Sequence, residues 1–96
     1  MGMNAEERAN RLKEQLSLTK TQSDSVKKIY EQAQQQMMEE MMVNQGDREA
    51  MRKAITEINE KSDKDIEKIL DAKQKKKFEE VKKERQTMMR ERQRQQ

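Results

Sequence analysis

Cysteine, histidine, proline and tryptophan are absent from this 96-residue chain, and tyrosine and phenylalanine occur once each. Without cysteine or histidine there is no thiol nucleophile, no disulfide, no imidazole base and none of the commonest zinc ligand sets. With two aromatic rings, stacking platforms for nucleobases are nearly excluded. Two glycines and no proline disfavour a turn-rich or sheet-rich fold and point to helices. No apolar run approaches the roughly 18 residues that a membrane span needs, and none reads as a signal-peptide core. Leu, Ile, Val and Phe together number 13, too few for a thick single-chain core. The chain is expected to have no enzymatic chemistry, no cofactor and no membrane insertion.

What is abundant is charge, at 43% of all residues, and methionine, with nine copies. The net charge of +3 is unevenly spread. Residues 1–72 hold 12 Lys/Arg against 15 Asp/Glu, whereas residues 73–96 hold 10 against 4. Lys75, Lys76 and Lys77 lie in the basic part. Acidic residues interleave with that part and aromatic residues are missing from it, so it reads as a solvated helix and no nucleic-acid partner is expected.

Apolar spacing predicts four helices. Ala5, Ala9, Leu12 and Leu16 form a narrow stripe between Asn4 and Ser17, with Glu6 and Glu7 favourably placed in the first turn. Thr19, with Gln22 three positions on, is a capping-box pattern that ends one helix and starts another. The second helix, Lys20 to Val43, carries Val26, Ile29, Tyr30, Ala33, Met37 and Met41, with Met38 and Met42 one position round. Asn44-Gln45-Gly46-Asp47 is a turn short enough to make the flanking helices antiparallel neighbours. The third helix, Arg48 to Leu70, has a near-heptad seam of Met51, Ile55, Ile58, Ser62, Ile66 and Ile69, weakened in its middle by Ser62 and Asp65. Asp71 and Gln74 then repeat the capping signal ahead of a fourth helix bearing Phe78, Val81, Arg85, Met88 and Met89. Residues 1–89 are expected to form one domain, and the apolar-free stretch 90–96 a frayed basic tail.

An internal repeat underlies this order. Leu18-Thr19-x-x-Gln22 and Leu70-Asp71-x-x-Gln74 lie 52 residues apart, and the same offset pairs Val26 with Phe78, Ile29 with Val81, and Met37 with Met89. Two helix–joint–helix units joined at Gly46 give the all-α, four-helix architecture expected here. Its apolar content calls for a second copy.

The LTKTQ segment at 18–22 and the altered LDAKQ at 70–74 resemble the twice-occurring LTxxQ motif of the Spy/CpxP family of small bacterial periplasmic proteins. The run EKILDAKQKKKFEEVKKER at 67–85 is also similar to that family's second motif region, and the resemblance covers roughly Asn4 to Arg85. The departures are Asp71 in place of Thr, a short inter-motif segment and the missing export signal. Asp caps a helix as well as Thr does. The resemblance implies a four-helix bent helical hairpin that pairs as an antiparallel, cradle-shaped homodimer in the periplasm and binds unfolded or aggregation-prone clients without ATP. The alternative it implies is a metal-responsive or envelope-stress regulatory protein of the same superfamily.

Candidate site residues follow from the methionines. Met37, Met38, Met41, Met42 and Met51, with Ile55 and Ile58, form a soft apolar face beside the cations Arg48 and Arg52. Three readings of the methionines stay open: thin core and dimer interface, adaptable client surface, or a soft site for copper(I) or silver(I). No metal ligands are assigned, because thioethers alone would have to hold the ion. Glu39 and Glu40 are adjacent, hence on different helix faces, and do not make an acid/base pair. Leu18, Thr19, Gln22, Leu70, Asp71 and Gln74 are assigned structural capping roles.

Overall fold

A computed structural model describes residues 4–94. Among them the fold is all-helical, with four helices and no strand: α1 (Ala5–Leu16), α2 (Lys20–Val43), α3 (Arg48–Glu67) and α4 (Ala72–Arg94). No helix among the described residues is long and apolar enough to cross a membrane.

Local chemistry sets each boundary. Asn4 caps α1, its side-chain oxygen accepting from the Glu7 amide at 2.8 Å. The helix ends on Ser17, whose left-handed φ of 53° turns the chain while the Leu18 amide reaches back to the Lys13 carbonyl at 3.1 Å. α2 and α3 form an antiparallel hairpin across Asn44–Asp47. Gly46 takes a φ of 82° there, a region open to glycine at little cost. Asp47 then caps α3 by accepting from the Ala50 amide at 3.1 Å.

α3 stops at Glu67, three residues before the expected Leu70. Its last amides tighten to i→i−3 bonds, from Ile69 to Ile66 and from Leu70 to Glu67. That bend is what swings Leu70 into the core. At the other end of the chain, α4 stays helical through Arg94, beyond the boundary at residue 90 that the loss of apolar spacing suggested. The last two residues of that stretch, 95 and 96, lie outside the described residues.

The core sits where the two joints meet. Leu12, Leu16, Val26, Tyr30, Ile66 and Phe78 are its most deeply buried large side chains, with Leu18 and Leu70 from the joints closing it. Val26 and Phe78, equivalent in the repeat, are both fully buried; Ile29 and Val81, also equivalent, both pack against its edge. Met37 is half-buried, and the side chain of its counterpart Met89 lies outside the described residues. Ser62 does not break α3, because its hydroxyl donates to the Ile58 carbonyl at 2.9 Å and so enters the interior satisfied.

Candidate functional site

Two regions concentrate unusual side chains: the joint, where the motifs lie, and the far end of the α2–α3 hairpin, where the methionines lie.

At the first joint, Thr19 Oγ1 accepts from the Gln22 amide at 3.1 Å, and Gln22 Oε1 accepts from the Thr19 amide at 3.0 Å. At the second, Asp71 Oδ1 accepts from the Gln74 amide at 2.8 Å, and Gln74 Oε1 accepts from the Asp71 amide at 3.1 Å. Both are reciprocal capping boxes. The two boxes also hold each other. Gln22 Nε2 donates to Gln74 Oε1 at 2.8 Å, and Gln74 Nε2 donates to Gln22 Oε1 at 3.0 Å. Each amide then spends its second hydrogen on the opposite joint, Gln22 on the Ile69 carbonyl at 2.9 Å and Gln74 on the Ser17 carbonyl at 3.4 Å. Ser17 and Ile69 are themselves 52 residues apart, so the whole arrangement has a local two-fold relation.

Every hydrogen-bonding position of both amides is thereby used. Gln74 is buried at low cost, since no buried side-chain polar atom among the described residues lacks a partner. Sequence reading assigned these glutamines to capping but missed that they clasp each other. The signal was present in the repeat: identical residues at one offset meet when two units pack around a two-fold axis.

The hairpin end is the opposite case. Met38, Met41, Met42 and Val43 are 61%, 59%, 76% and 79% exposed. Met37, Met51 and Ile55 are half-buried beside them, and Arg48 and Arg52 are exposed. Of the apolar residues expected on a soft surface, Met38, Met41 and Met42 are exposed and Met37, Met51 and Ile55 are partly covered, and one needs correction. Ile58 is buried at 9% exposure, a full turn further toward the joint, and is removed from any face that a client could touch. Arg48, Met41 and Met51 border a shallow hollow around the Asn44–Asp47 turn.

Length explains why this end is bare. α1 has 12 residues and α2 has 24, so α1 covers only the first half of α2. Past Ala33 no residue of α2 is fully buried. Asn44 braces the turn by donating its amide to Glu40 at 2.8 Å. No group of three or more His, Cys, Asp or Glu side chains placed to hold a metal occurs among the described residues.

A third cluster escaped sequence reading. The Arg8 guanidinium lies over the Tyr30 ring, 4.2 Å from its centre. Arg85 donates to the Tyr30 hydroxyl and pairs with Asp63, both at 3.3 Å. Burial pushes the Asp63 carboxyl above its ordinary value of 3.8, against the opposing pull of Arg85. Lys82 bridges Glu67 and Glu79 nearby and lies over the Phe78 ring. These links tie α1, α2, α3 and α4 together over the core.

No family model, curated protein or solved structure matches the chain.

Proposed function

We propose that this protein is an ATP-independent, chaperone-like binding protein of the Spy/CpxP type that acts in the periplasm as a homodimer. Unfolded or aggregation-prone clients are captured on the hairpin end. Exposed Met38, Met41, Met42 and Val43, outside the core and flanked by exposed Arg48 and Arg52, carry this reading. Methionine is flexible and polarisable, so one such surface accepts many apolar sequences. The neighbouring arginines draw acidic segments in and speed encounter. Contacts of this kind are weak and remakeable, which lets a client fold while bound or leave without nucleotide hydrolysis.

The paired L-[TD]-x-x-Q motifs support the family assignment, and their role is architectural: they fix the joint from which the hairpin projects. A second copy arranged antiparallel would turn two hairpins into a cradle and cover part of the bare apolar area. The test is suppression of aggregation for several unrelated denatured proteins, without ATP. Protection across unrelated clients supports the reading, and no protection of any client at molar excess overturns it.

A further inference from the structure

A cavity of about 330 Å³ opens beside the Arg8–Tyr30–Arg85 cluster, lined by residues of α1, α2 and α4. Its apolar lining is half-buried Val81 and exposed Met88, with the edges of buried Leu12 and Tyr30 behind them. Met88 is 59% exposed, a large thioether at the rim that the core does not use. Three arginines dominate its polar wall, beside Gln15 and Glu84. Arg85 has its charge answered by Asp63 from behind, at 3.3 Å. Arg8 makes no ion pair within 4 Å with any described carboxylate. Arg11, which has a partner of its own, adds positive charge at the edge.

We propose that this cavity binds a carboxylate carried on a small apolar body, with Arg8 as the principal anion ligand and Val81 and Met88 as the apolar seat. A guanidinium laid on an aromatic ring uses its face and keeps its in-plane N–H groups for an edge-on carboxylate, which it can grip with two bonds. Asp63, which feels both Arg8 and Arg85, and Glu84 at the rim offset part of this positive charge, so the wall suits a single negative charge. Glu84 at the rim works against phosphates and other multiply charged anions. The Tyr30 hydroxyl accepts from Arg85 at 3.3 Å and so helps to hold that guanidinium in the wall. The volume stands at the small end of ligand cavities, enough for a medium-length alkyl chain or a single ring. Such a carboxylate could arrive as a free organic acid or as the end of a polypeptide.

The experiment is an NMR titration of the full chain with octanoate, octanamide and N-acetyl-leucine. Octanoate is expected to shift signals of Leu12, Tyr30, Val81 and Met88 and to leave Met38, Met41 and Met42 unmoved. Octanamide, which keeps the apolar body and loses the charge, should bind about tenfold more weakly, as should octanoate to Arg8→Gln. Should Arg8→Gln fold poorly, Met88→Glu at the exposed rim must weaken octanoate to a similar degree. Tighter binding of octanoate assigns the site to free acids, and tighter binding of N-acetyl-leucine assigns it to polypeptide ends. Equal binding of octanoate and octanamide, shifts confined to the hairpin end, or no binding of either carboxylate would overturn the proposal. Client protection is read separately, so either result stands without the other.

Discussion

The joint and the hairpin end are built from the same two helices, α2 and α3, yet they differ in almost every physical respect. At the joint, α1 and α4 supply the other half of the core, each motif glutamine makes four hydrogen bonds, and Val26, Ile66 and Phe78 are sealed from water. At the other end only two helices remain, and the apolar stripe of α2 runs out of partners while still reading Met-Met-x-x-Met-Met. Periodicity alone therefore does not distinguish a core from a surface; the length of the neighbouring helix does. The difference sets a sealed, fully hydrogen-bonded joint against an end whose apolar side chains face solvent.

Breaking the joint should be the most damaging change. Phe78 is fully buried among residues of both repeat units, and Phe78→Ala should cost about 3–5 kcal/mol, enough to unfold a chain of this size. Thermal denaturation by circular dichroism reads this directly. Gln22→Ala or Gln74→Ala should each cost about 1–3 kcal/mol by stranding the opposite amide. The double variant should cost clearly less than the sum, with a coupling of about 0.5–3 kcal/mol by urea denaturation. Additive effects would mean that the clasp is incidental to the two caps. Thr19→Ala and Asp71→Ala, which remove one capping acceptor each, should cost about 0.5–2 kcal/mol.

A smaller effect concerns pH. The folded state raises the Asp63 carboxyl above its ordinary value of 3.8, so near that pH it binds a proton that the unfolded chain does not. Its contribution to stability is therefore full below 3.8 and is lost as pH rises through the raised value. That is the opposite of the usual acid effect. Asp63→Asn should remove this slope from a plot of melting temperature against pH, and an unchanged slope would place its origin elsewhere.

Much of the joint was readable in the sequence because its signals are local. Caps, turn residues and three–four spacing act within a few positions, so the start of every helix and the end of α2 follow from them. What escaped reading depends on distant residues. The Gln22–Gln74 clasp spans 52 residues and required the repeat to be read as a contact. The Arg8–Tyr30–Arg85 cluster joins residues from three helices, and Arg8 carries no local mark that sets it apart. Ile58 was placed on the client face because the seam of α3 is continuous. Which part of a continuous seam is covered depends on the reach of the other helices. α3 ends early for the same reason, since the bend at 68–70 serves a core that other segments complete.

The central claim is that the joint holds the fold while the exposed methionines do the binding. It is tested most directly by replacing Met38, Met41 and Met42 together, once with Gln and once with Leu, and measuring melting temperature and suppression of client aggregation in the same samples. All three side chains are more than half exposed, so stability should move by no more than about 0.5 kcal/mol per substitution. The Gln variant should stay folded and lose client protection, whereas the Leu variant, with similar volume and apolar area, should keep most of it. A folded Gln variant that protects clients as well as the parent chain would contradict it.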